Sequence, residues 1–198
     1  MSGASARPPV LVLVLGVAFA LIVGSLVIGS LARPEFPPYT VTPPHPTRVG
    51  DSIVGPATYT VDASATDRWR RFDFERNAIV DSGSWDIALR RFHLISAPGG
   101  GIVDLGVVPF DSVLELPADG YLPNTAGPDT TNPAVGKWYS YSMLSHLLTT
   151  KRHVYGIHTA RGTYAKLELL AYYCRDAGTA CVTFRYAYQG DGTRRVGC

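Results

Sequence analysis

The side chains able to do chemistry in this chain are few: the imidazoles of His93, His146, His153 and His158, the thioether of Met143, and three cysteine thiols. Imidazole and thioether are borderline or soft ligands suited to iron or zinc. His153 and His158 are five apart in a strand-like run, which places them on opposite faces and keeps them from sharing one metal. His93 and His146 meet only if tertiary structure brings them together, and Met143 is a further candidate ligand. Cys174 and Cys181 flank Arg175 to Ala180 between two strand-like segments, a spacing that suits a disulfide across a hairpin mouth. A disulfide there places the domain in an oxidising compartment. Cys198, at the C-terminal end, is left as a free thiol or an intermolecular partner.

Other chemistries find no support. No Gly-x-Ser-x-Gly elbow, phosphate loop, dinucleotide fingerprint or His-Glu-x-x-His motif occurs. Gly190-Asp191-Gly192 lacks the further carboxylates of a calcium loop, and the acidic residues are too dispersed for a paired-carboxylate site. Arg68, Arg70, Arg71 and Arg76 alternate with Asp67, Asp73 and Glu75, as in a solvated strand pair. With a net charge of +2 they give no nucleic-acid footprint. The expectation is a chain that is not an enzyme and holds no metal site of its own.

Three kinds of segment must position these groups. Residues 10–32 carry no charge, and as a helix they would span roughly 34 Å, enough to cross a hydrocarbon core of about 30 Å. A cleaved signal normally has a shorter apolar core, so an uncleaved anchor is expected, and no cysteine follows the run to take a lipid. Gly16, Ala20 and Gly24, with Ser25 and Gly29 beside them, line helix faces at a four-residue spacing that admits a neighbouring helix. Residues 33–56 hold seven prolines and read as an extended tether, with His45 solvated within it.

From about residue 57 to the C-terminus, alternation predicts one all-β domain. Candidate strands are 58–63, 69–76, 85–95, 102–107, 137–142 and 154–159. Thr163 to Ala171 and Val182 to Tyr188 then form a hairpin closed near the cysteine pair. Residues 109–136 have five prolines and little periodicity, and Phe110, Val113, Leu114, Leu116, Tyr121 and Leu122 within them read as either a partner-binding loop or a self-packed one.

Trp85-Asp86-Ile87-Ala88-Leu89-Arg90-Arg91, preceded by Phe72-Asp73-Phe74, carries a family likeness. So do Trp138-Tyr139-Ser140-Tyr141, His146-Leu147-Leu148, Val154-Tyr155, Thr159, Gly162, Tyr164-Ala165-Lys166-Leu167 and Tyr172-Tyr173. In order and spacing over most of residues 65–190 these resemble the HmuY family. The resemblance implies an exported antiparallel β domain and, in the best-known members, haem capture through two axial side chains. His146 falls about where one such ligand is expected, with His93 or Met143 as the second.

Two functions follow as expectations. The first is a non-catalytic accessory subunit, without cofactor, of a larger membrane complex such as a respiratory or photosynthetic one. Its lone helix packs on other transmembrane subunits in a bacterial inner membrane, and its periplasmic β domain braces the assembly. The alternative is a membrane-tethered haem-binding protein using His146 with His93 or Met143.

Overall fold

The computed structural model describes residues 9–31, 53–127, 130–174 and 178–197. Residues 33–52 of the tether and Cys198 therefore lie outside the described residues. The chain divides into two compact units. One contains helix α1 (Val10–Leu31) together with residues 141–148, and the other is the body of the β domain.

Helix α1 is a run of aliphatic side chains broken only by small residues. Its two hydroxyls are satisfied inside the helix: Ser25 Oγ donates to the Ile22 carbonyl at 2.8 Å and Ser30 Oγ to that of Val27 at 2.9 Å. No polar side chain in it needs water, and its 22 residues reach roughly 33 Å.

The β domain is built from two antiparallel sheets. In the first, β1 (Ile53–Asp62) lies beside β11 (Thr179–Gln189), followed by β10 (Tyr164–Tyr173), β9 (Val154–His158) and β6 (Gly101–Asp104). In the second, β3 (Ala78–Val80), β2 (Arg70–Asp73), β4 (Ile87–Arg90) and β5 (His93–Ser96) are neighbours in that order. A separate ribbon joins β7 (Tyr139–Tyr141) to β8 (Leu148–Thr150). The β10–β11 ladder, with Leu167 opposite Tyr186 and Leu169 opposite Phe184, is the hairpin that alternation predicts.

Alternating residues of β11 face the second sheet, and aromatic rings fill the space between. Phe72 lies 5.2 Å from Phe184, 4.8 Å from Tyr59 and 5.7 Å from Tyr186 between ring centroids, while Phe74 lies 4.9 Å from Tyr186. Each such pair contributes about 0.5–1.5 kcal/mol beyond its buried area. The Tyr186 hydroxyl, dry in this core, donates to the Phe74 carbonyl at 2.9 Å.

The opposite face of the first sheet is also covered, by the proline-rich loop. Phe110, on a single 3₁₀ turn (Phe110–Ser112), buries itself with Val154 and Ala187, flanked by Leu105, Val108 and Val113. Lys166 is buried beneath it and donates to the Phe110 and Val113 carbonyls at 3.0 and 2.9 Å, so its charge is satisfied by backbone. Glu168, also buried, accepts from Arg185 Nε at 2.6 Å and pairs with Arg152 Nε at 2.7 Å. The partner-binding reading of this loop fails for Phe110 and Leu116, which are each 1% exposed and face the sheet. Tyr121 is half-buried with its hydroxyl on the Pro117 carbonyl, and Leu114 and Leu122 alone of the candidates keep exposed side chains.

Two further expectations are corrected. The stretch 85–95 is not one strand: the chain reverses at Arg91, whose φ of 56° is left-handed, and Arg90 comes opposite His93. Neither glycine nor asparagine marks this turn. In addition, β1 begins at Ile53, so Pro56 belongs to an edge strand rather than to the tether, a place where its missing N–H costs no ladder bond.

Candidate functional site

The candidate ligands Met143 and His146 fall on the tip between β7 and β8. Ser142 starts a tight turn: its carbonyl accepts from the His146 N–H at 2.9 Å, and its hydroxyl accepts from the Ser145 N–H at 3.2 Å. That turn sets His146 at a φ of 56° and projects its ring outward. The Tyr141 hydroxyl lies 2.7 Å from Nδ1 of His146. Where Nδ1–H donates to that oxygen, Nε2 keeps its lone pair and the ring is held in one orientation. Met143 is 72% exposed beside it.

An imidazole with a secured Nδ1 and an open Nε2 is chemically suited to haem iron, as is a thioether. Met143 and His146, three residues apart in one turn, would offer a haem alternative donors rather than an opposed pair. His93 belongs to the other compact unit. It is half-buried on β5, with its ring 4.4 Å from that of Phe92.

The remaining histidines are tied elsewhere. His153 pairs through Nδ1 with Asp104 at 2.9 Å, and His158 packs between Tyr164 and Tyr121 at 4.9 and 5.7 Å. Among the described residues no cluster of three His, Cys, Asp or Glu is placed to hold a metal. Cys174 and Cys181 are joined in a disulfide with Cα atoms 4.9 Å apart, beside the Tyr173–Thr179 pair that closes the hairpin.

On α1, Gly16 and Gly24 open onto empty space, Ala20 is exposed, and Ser25 turns its hydroxyl into the helix. Gly29 differs from these. A methyl group there would come within 2.7 Å of the Leu144 carbonyl oxygen, so the hairpin tip of the same chain occupies this position of the small-residue set.

A second constellation was not foreseen. Asp73 and Asp86 are each fully buried, and Arg161, on the turn between β9 and β10, reaches both. Its Nη2 lies 2.9 and 3.0 Å from the two oxygens of Asp86, and its Nη1 lies 3.4 Å from Asp73 and 3.2 Å from Glu75. Asp86 Oδ2 also accepts the Phe74 N–H at 2.8 Å, and Asp73 Oδ1 the Arg76 N–H at 3.1 Å. Burial pushes the Asp86 carboxyl above its ordinary value, against the pull of the Phe74 N–H and of Arg161. This corrects the solvated reading of the charged run around Asp73, and the reading of the acidic residues as dispersed. The group is a knot that joins a turn of the first sheet to β2 and the approach to β4. All four aspartate oxygens face donors, so it is built to hold the sheets together. Its only signal in the sequence is an aspartate set between apolar residues, in Phe72-Asp73-Phe74 and again in Trp85-Asp86-Ile87.

Comparison with known proteins bears on the fold. The family model of the HmuY protein matches residues 65–186. An apo HmuY analog from Tannerella forsythia superposes with a TM-score of 0.58 at 18% identity, covering 68% of this chain and 95% of its own. A putative HmuY-like heme binding protein from Bacteroides vulgatus gives 0.58 and 18%, with 69% and 92% covered. A putative lipoprotein from Bacteroides fragilis gives 0.57 and 17%, with 69% and 90% covered. At these identities the likeness establishes the fold of the antiparallel β domain, which in this chain follows one N-terminal apolar helix. No curated protein matches the chain. The expectation of an accessory subunit of a larger membrane complex is overturned by these findings: the matching family model is that of the HmuY protein, and one of the matching structures is described as a putative HmuY-like heme binding protein.

Proposed function

The chain belongs to the HmuY family, and we propose that it is a membrane-tethered haem-binding protein in which His146 supplies an iron ligand. The observation that carries this reading is the exposed His146 ring, anchored through Nδ1 by Tyr141 at 2.7 Å with Nε2 left for a metal. When bound, haem supplies an iron centre that takes imidazole or thioether as an axial ligand. His146 would hold the iron, with Tyr141 orienting its ring and Met143 offering a softer donor beside it.

The reading is of a binding protein rather than an enzyme. Tyr141 and His146 hydrogen-bond each other, and the buried Asp73 and Asp86 are saturated by Arg161 and backbone N–H groups. Helix α1 tethers the protein to a bilayer, which its length and composition allow. The Cys174–Cys181 disulfide supports an oxidising compartment for the β domain, the periplasm of a bacterium, with α1 in the inner membrane.

Haemin titration of the full chain in lipid nanodiscs tests the proposal. A saturable Soret change beyond that of empty nanodiscs, lost in His146→Ala, is expected. A spectrum indistinguishable from haemin in empty nanodiscs contradicts it.

A further inference from the structure

Between Lys137 and Lys151 the chain carries no charged residue: Trp-Tyr-Ser-Tyr-Ser-Met-Leu-Ser-His-Leu-Leu-Thr-Thr. Within that run the tip exposes large apolar side chains, with Tyr141 49%, Met143 72% and Leu144 55% exposed. A turn at the end of a soluble hairpin ordinarily carries charge or glycine, and contiguous apolar exposure marks an interaction surface.

The structure also says what lies next to this surface. Residues 141–148 form one compact unit with α1, and the Leu144 backbone sits against Gly29, near the C-terminal end of that helix. Gly29 is two residues from Leu31, inside the apolar stretch. The absence of a side chain there lets the tip come close, since any Cβ would collide with the Leu144 carbonyl. A tip held at the last turn of a membrane span lies at the boundary between acyl chains and headgroups. Its composition suits that layer: tyrosine and histidine are amphipathic, Met143 and Leu144 are apolar, and lysines flank the run in sequence.

We propose that the Met143–Leu144 tip is seated in the interfacial layer of the bilayer that α1 spans, so that lipid covers its exposed apolar side chains. This rests on α1 being a membrane span. It adds to the haem-binding reading a source for the ligand: His146 samples the lipid surface, where an amphiphilic macrocycle collects.

The test uses the full chain in nanodiscs, with Cys198→Ser to remove the terminal thiol and the disulfide left intact. An NBD fluorophore is attached at Leu144→Cys or, as a mid-span reference, at Leu21→Cys. Interfacial apolar groups lie roughly 5–10 Å into the headgroup and acyl boundary. The Leu144 label is therefore expected to lose roughly half of its emission to lipids with a doxyl group high on the acyl chain, and to be shielded from iodide. Adding Gly29→Leu, which forces the tip off the helix, is expected to reverse both effects. If the Leu144 label is open to iodide and indifferent to doxyl lipid while the Leu21 label is quenched by lipid, the proposal is overturned. Shielding from both quenchers means that protein covers the tip, which also overturns it. If the Leu21 label is itself untouched by lipid, the tether reading falls and the proposal falls with it.

Discussion

The Tyr141 hydroxyl lies 2.7 Å from His146 Nδ1, across a turn that Ser142 closes with its carbonyl and its hydroxyl. The pair predicts the behaviour of Tyr141→Phe, which keeps the ring and removes the oxygen. Loss of a hydrogen-bonded partner of a ligating histidine typically weakens metal binding about 10–100-fold. Haemin affinity should fall by that order, and an unchanged titration would mean that His146 does not bind iron in the orientation seen.

Arg161 pairs with two carboxylates that have no access to water. Arg161→Met leaves Asp86 buried without a cationic partner and Asp73 with only the longer pairing to Arg76 at 3.9 Å, which should cost about 3–5 kcal/mol in urea unfolding. The sign of its pH dependence follows from Asp86, whose folded-state carboxyl is already raised above 3.8 by burial. The native state binds that proton more tightly than the unfolded chain, so this contribution is fully present below 3.8 and is lost as pH rises through the raised value. Without Arg161 the raised value climbs further. The variant should therefore regain stability on acidification from neutral pH by more than the wild type does.

Gly156 is the point where the proline-rich loop lies flat on the first sheet. A methyl group there would come within 2.8 Å of Val103 Cγ1 and 3.1 Å of Leu116 Cδ2. Gly156→Val should overpack this contact at a cost of about 1–3 kcal/mol. It should also release the amides around Leu116 to faster hydrogen exchange. Unaltered exchange with unaltered stability would show that the loop is not seated on β9.

Cys174 and Cys181 close a short loop at the turn end of the β10–β11 hairpin. Their joint replacement by serine should lower stability by about 2 kcal/mol, the chain-entropy value for so short a loop. Differential scanning calorimetry under non-reducing conditions measures it. An unshifted transition would mean that the ladder alone sets the hairpin.

How much of this was legible in the sequence depends on the range of each interaction. The β10–β11 hairpin and its disulfide could be read from local alternation and cysteine spacing, because both are short-range. Lys166 and Glu168 could be assigned to the right face, but not to the interior. Lys166 is covered by Phe110 and Val113, more than fifty residues away, and Glu168 is held by Arg152 and Arg185. The Arg161 knot draws on residues 88 and 75 positions earlier, a distance over which no pattern carries. The break at Arg91 was invisible because a left-handed turn was made there without glycine. At the tip, Met143 was named by residue type alone, and His146 also by its place in the HmuY resemblance. The hydrogen bond that makes His146 a plausible ligand needed the turn geometry at Ser142.

The central claim is a bond between iron and one particular nitrogen. Protein labelled with ¹⁵N-histidine, loaded with haemin in nanodiscs and examined by electron–nuclear double resonance, reports that bond directly. The account predicts a hyperfine coupling from a directly coordinated imidazole nitrogen that disappears in His146→Ala. A coupling that survives the substitution, or one that never forms in the wild type, contradicts it.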